Sequence, residues 1–122
     1  VVIDKHREKA NEVASMRIIG NVEGKNVILV DDLVDTGGTL CKAAGIIMDQ
    51  GAKSVRALCT HPVLSGNAYE NIKNSALEEL VVTDTIPLKE EINKIKVLTV
   101  AELFAKAITS ITSDQSISKL FI

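Results

Sequence analysis

The chain has no tryptophan, one tyrosine and two phenylalanines, so aromatic residues fill 2% of its 122 positions. Any core it builds is aliphatic, and little is left to stack on nucleobases, which argues against a reader of nucleic acid. It also lacks an excess of either charge. Fourteen basic residues against sixteen acidic ones leave a net −2, whereas proteins that grip a polyphosphate backbone need clustered cations. No apolar run approaches the length that crosses a bilayer. Neither nucleic acid nor membrane is expected as a partner. Cysteine is scarce as well: Cys41 and Cys59 lie in apolar segments without a Cys-x-x-Cys or Cys/His spacing. They read as buried free thiols, and a reducing cytoplasm is the expected compartment.

What is present is enough for one compact domain, and hardly for two. Three short runs rich in β-branched residues, Val27–Val30, Val55–Cys59 and Leu80–Thr83, read as buried strands, with a fourth at Ile95–Leu98. Between the first two, Leu40, Ala43, Ala44, Ile47 and Met48 recur at helical spacing, and Gly51 supplies a stop. Asn67–Asn74 predicts a shorter helix. Val100, Leu103, Phe104, Ala107, Ile108 and Ile111 form an apolar stripe behind a Thr99/Glu102 capping box. Strands alternating with helices imply βαβ units, hence an α/β fold with a mainly parallel sheet and helices on both faces. The front end differs. Asp4–Val13, "DKHREKANEV", is dense in charge and reads as an exposed, mobile loop before a second strand near Ser15–Ile19. An apolar strand at position 1 leads us to expect a fragment whose sheet neighbours lie elsewhere.

The most informative stretch is "NVILVDDLVDTGGTL", Asn26–Leu40. A buried strand ending at Val30 delivers Asp31 and Asp32 to its carboxyl end, the edge where open α/β sheets bind ligands. Asp35, Thr36, Gly37, Gly38 and Thr39 then lead into a helix beginning near Leu40. Glycines let backbone N–H groups approach an anion, and a helix N-terminus adds partial positive charge. The second half of the loop thus suits a terminal phosphate. The two leading acids suit a region rich in hydroxyls, or a bound Mg²⁺. A sugar phosphate satisfies both.

These residues resemble the phosphoribosyl-pyrophosphate motif of type I phosphoribosyltransferase folds, a Rossmann-like α/β class. The flanks are similar to one family within it, the ribose-phosphate diphosphokinases or phosphoribosyl pyrophosphate synthetases. "DKHREKANEV" resembles their flexible catalytic loop, "THPVLSGNAYENI" their T-H-G-x-x-S-G-x-A segment, "VVTDTIPL" their V-T-N-T-I-P segment, and "SISKLF" their ending. Pro62 replaces a usual glycine and Asp84 a common asparagine.

The resemblance implies a diphosphotransferase of nucleotide biosynthesis. It moves the diphosphoryl group of ATP to C1 of ribose 5-phosphate, with Mg²⁺ as cofactor. It further implies Lys5 and Arg7 as catalytic cations, and Arg7, Asp31, Asp32, Asp35, Thr36, Gly37, Gly38 and Thr39 as ribose 5-phosphate contacts. Ligands for Mg²⁺ are expected upstream of the chain. On the same grounds residues 1–122 are expected to be the C-terminal phosphoribosyltransferase-like domain, incomplete on its N-terminal side and without the ATP-side domain. The isolated chain is expected to be inactive, and the full-length protein a dimer-based hexamer. Two other readings stay open: a phosphoribosyltransferase that consumes the activated ribose, and a non-catalytic subunit that keeps the fold.

Overall fold

The computed structural model describes residues 2–6 and 15–121. Two strands, β1 (Val2–His6) and β2 (Ser15–Ile19), pair as an antiparallel ribbon. The rest is a four-stranded parallel sheet in the order β3 (Asn26–Val34), β4 (Ser54–Pro62), β5 (Glu79–Thr83), β6 (Ile95–Leu98). Helix α1 (Gly38–Asp49) connects β3 to β4, and α2 (Ala68–Lys73) connects β4 to β5. Helix α3 (Ala101–Thr112) and a 3₁₀ turn (Ser118–Phe121) follow β6. The α/β class with a parallel sheet is as the alternating pattern predicts.

The strands follow one another across the sheet in chain order, and right-handed crossovers stepping in one direction deliver their helices to one face. Accordingly α1 and α2 touch each other, and the helices do not flank both faces as expected. Val55, Ala57 and Cys59 of β4 point under them and are buried, together with Leu80 and Val82 of β5. Leu40, Ala44 and Ile47 of α1 and Tyr69 and Ile72 of α2 close this aliphatic core. The opposite face is open among the described residues: Ile28, Val30 and Leu58 are exposed, Val30 by 78%.

Three element boundaries differ from the expectation. Strand β3 runs four residues beyond Val30, so Asp31 and Asp32 lie within it, with Asp31 paired to Cys59 and Leu33 to His61. Parallel pairing is made by the backbone, and at the rim of a sheet a charged side chain reaches water without leaving the ladder. Strand β4 likewise extends to Pro62. The segment from Asp4 to His6 is strand rather than loop, Lys5 being paired with Met16 and His6 with Ser15. The remainder of that expected loop, residues 7–13, lies outside the described residues.

Helix α3 departs furthest. Its stripe is real, but Leu103, Phe104, Ile108 and Ile111 are exposed, and the helix packs on the 3₁₀ turn instead of the sheet. Nor does the capping box form. Thr99 Oγ1 accepts from Ala101 N–H (3.1 Å), while Glu102 pairs with Lys106 (3.0 Å). The start of the helix is instead tied to the sheet by Asp84, whose Oδ1 accepts from Val100 N–H (2.9 Å). The Thr99 hydroxyl and then that N–H hold the Asp84 carboxyl below its ordinary value of 3.8. A depressed folded-state pKa means that this tie is complete above the ordinary carboxylate value and is lost as pH falls through the lower one. Protection of the Val100 amide against hydrogen exchange is therefore expected to persist at pH 5 and above and to collapse only below about pH 3.8; Asp84→Ala should remove it at every pH.

Candidate functional site

The carboxyl ends of β3 and β4 form one rim of the sheet, and the loop from Asp35 to Gly37 hangs from it. Gly37, at φ +77°, turns the chain into α1. A Cβ there would meet Ile72 Cγ1 at 3.7 Å, Val34 Cγ1 at 3.8 Å and Cys41 Sγ at 3.9 Å, so space permits one carbon but the backbone angle disfavours any L side chain. Helix α1 then starts at Gly38, two residues earlier than expected. Its first bond runs from Cys41 N–H to Gly37 O (2.9 Å).

No side chain caps this helix, and no acid occupies its first turn. Its leading N–H groups are therefore the orphan donors that every helix start leaves, aimed at the rim. Thr36 Oγ1 reaches only Gly38 N–H, at a long 3.5 Å. Asp35, Thr36 and Gly38 are exposed, Thr39 is half-buried and Gly37 is buried. An uncapped N-terminus behind an αL glycine is a seat for an anion.

Asp31 stands beside it. Its Oδ1 accepts from Asp32 N–H (2.8 Å), which leaves the second carboxylate oxygen unengaged among the described residues. Asp31 and Thr39 border one end of a groove of about 460 Å³ between β3 and α1, otherwise lined by aliphatic residues such as Val27, Leu40 and Ile47. Successive strand residues project to opposite faces, so Asp32 does not bring its carboxylate to the same point. Among the described residues no three His, Cys, Asp or Glu side chains gather as a metal cluster. Mg²⁺ needs no such cluster, since one or two carboxylates can hold it together with a substrate phosphate.

Of the other expected site residues, Lys5 lies in β1 and Arg7 lies outside the described residues. His61, at the end of β4, has Nδ1 2.9 Å from Thr85 Oγ1, which itself donates to Thr60 O (3.1 Å). These contacts hold the imidazole ring against the end of β4. Cys59 is buried and Cys41 half-buried, and burial pushes both thiols up from 9.0.

Sequence reasoning did not find the neighbours that hold the loop. Past Pro62, which has no N–H, the β3–β4 ladder ends and Val34 O accepts from Leu64 N–H (3.1 Å). Ser65 N–H donates to Asp35 O (3.0 Å), and the Ser65 hydroxyl donates to the Asp35 carboxylate. Asn71 Nδ2 donates to Thr36 O (3.0 Å). Leu64 adopts a positive φ of 49° to reach this arrangement. "SGN" reads simply as a helix start, and nothing local in it signals a partner 30 residues away.

Known proteins match nearly the whole chain. The family described as the phosphoribosyl synthetase-associated domain matches residues 3–122. Ribose-phosphate pyrophosphokinases of Campylobacter jejuni and Wolinella succinogenes are each 57% identical to it over 122 residues, covering all of this chain and 40% of theirs. The crystal structure of phosphoribosylpyrophosphate synthetase from Mycobacterium smegmatis superposes with a TM-score of 0.80 at 36% identity, over 84% of this chain and 35% of that one. The chain thus spans about 40% of the length of the curated relatives it matches. With the match running over nearly every residue, the chain belongs to the phosphoribosyl synthetase-associated domain family.

Proposed function

We propose that this chain is the ribose 5-phosphate-binding part of a ribose-phosphate pyrophosphokinase. The carrying observation is the uncapped start of α1 behind Gly37, set beside the half-free carboxylate of Asp31. The phosphate sits on the N–H groups of residues 35–39 with the Thr36 and Thr39 hydroxyls as further donors. The ribose hydroxyls donate to Asp31, which solves the problem of acids beside an anion: carboxylate and phosphate meet different ends of one ligand. The names of the relatives support this choice of ligand.

In the whole protein, the C1 hydroxyl oxygen attacks the β-phosphorus of ATP. A new C1–O–Pβ linkage forms, the bond from Pβ to the bridging oxygen of the α-phosphate breaks, AMP departs, and the hydroxyl proton passes to solvent or a base. The contribution of this chain is to fix the acceptor sugar so that only one hydroxyl can reach the nucleotide. Lys5 and Arg7 are proposed as cations that offset charge on the migrating group, Arg7 through bidentate contact with phosphate oxygens. The remaining length of such a protein supplies the ATP side and any ligands for Mg²⁺. Placement of this chain as the C-terminal part rests on the likeness of "SISKLF" to the family's ending. A dimer-based hexamer, a cytoplasmic location and a place in nucleotide synthesis complete the reading.

Two measurements test it. Calorimetric titration of the 122-residue protein should show ribose 5-phosphate binding and no detectable ribose binding; equal heats from the two sugars would refute the phosphate seat. For the full-length protein, AMP release from ATP is expected to require ribose 5-phosphate. Absence of AMP would favour the reading in which activated ribose is consumed rather than made.

A further inference from the structure

Three consecutive carbonyls, those of Val34, Asp35 and Thr36, accept hydrogen bonds from Leu64, Ser65 and Asn71 respectively. All described peptide bonds are trans. In a trans peptide the carbonyl of one residue and the N–H of the next point in opposite directions. Drawing the three carbonyls toward the β4–α2 segment therefore turns the N–H groups of Asp35, Thr36 and Gly37 away from it. None of these three has an acceptor among the described residues. The same segment engages the Asp35 carboxylate through the Ser65 hydroxyl, directing that negative charge away from the loop's open side.

We propose that Ser65 and Asn71 are positioning residues, which set the amides of residues 35–37 toward the sugar phosphate without touching it. The inference rests on the ribose 5-phosphate reading above and assigns it two residues that the loop motif does not contain. Preorganisation is the physical gain. Donors fixed before the anion arrives need not be ordered by it, and a loop free to flip its peptides would at times present carbonyl oxygens to a phosphate. Ser65 supplies both a backbone and a side-chain donor, so its hydroxyl is separable by mutation. Asn71 acts through its side-chain amide alone, from an exposed position on α2, so truncating it leaves no cavity.

The test uses Ser65→Ala, Ser65→Thr and Asn71→Ala in the 122-residue protein. It reads ribose 5-phosphate affinity by calorimetry and ligand-free amide order parameters for residues 35–38 by NMR. Each Ala variant is expected to bind about 5- to 10-fold more weakly, the effect of losing one hydrogen bond, and to lower the order parameters of those amides only. Ser65→Thr, which keeps the hydroxyl, should restore both. Wild-type affinity and order in the Ala variants would overturn the proposal, as would a Ser65→Thr variant as impaired as Ser65→Ala. Should the wild-type protein itself fail to bind ribose 5-phosphate while the Ala variants still loosen the loop, the ligand reading falls first. The positioning role then falls with it, leaving a purely structural buttress.

Discussion

Gly37→Val should abolish measurable ribose 5-phosphate binding and destabilise the protein by about 1–3 kcal/mol, the usual cost of a strained backbone angle. At φ +77° a β-branched side chain is a steric outlier. Its γ-carbons would also press on Ile72, Val34 and Cys41, which leave room for only a single carbon. The chain can relieve this only by rotating the peptides on either side, and those peptides carry the proposed donors. Hydrogen bonds to a charged group contribute about 1.5–3 kcal/mol each, so misdirecting even one weakens binding at least tenfold. Gly38→Ala is the contrast. Its Cβ would meet nothing closer than Thr36 Oγ1 at 3.7 Å, and its φ is not positive. Stability should change by less than about 0.5 kcal/mol. Equal stability losses for the two variants in denaturant unfolding would contradict the turn geometry described.

The second large effect separates two isoleucines that the sequence alone treats alike. Ile47 and Ile108 each lie on the apolar stripe of a 12-residue helix. Ile47 is fully buried against the sheet, whereas Ile108 is 61% exposed on α3. Ile47→Ala removes three buried carbons from a mainly aliphatic core, and should cost about 2–5 kcal/mol. Against a typical total of about 5–15 kcal/mol, that is a substantial fraction of the fold's stability. Ile108→Ala should change stability by less than about 0.5 kcal/mol. Urea unfolding of the two variants decides the matter: a comparable loss for Ile108 would mean that α3 is packed, not bare.

That pair also marks how far the residues can be read without coordinates. The strand–helix alternation, the end of α1 and the position of β6 follow from local periodicity and from Gly51. The grouping of residues 35–39 at the rim follows because glycine and threonine types at that spacing have a conformational and chemical meaning of their own. The extent of β3 past Val30 was not legible, because its last residues are held by pairing with β4 and carry charges that a local reading places in a loop. The exposure of the α3 stripe is not legible for a related reason. An amphipathic pattern reports that a helix has an apolar face, not that this chain supplies the surface to cover it. Ser65 and Asn71 lie 30 and 35 residues from the atoms they hold, and short polar side chains leave no periodic trace.

The chain-order arrangement of the parallel sheet has a bearing on how the molecule comes into being. Each strand after β3 joins an edge already laid down by preceding residues, and none must be threaded between two earlier ones. A polypeptide leaving the ribosome N-terminus first can thus finish each pairing before the next strand has emerged. The phosphate loop is complete in sequence once α1 has emerged, but the segment that turns its peptides arrives only after β4. Growth of the sheet and readiness of its rim are therefore separate events in the life of the nascent chain.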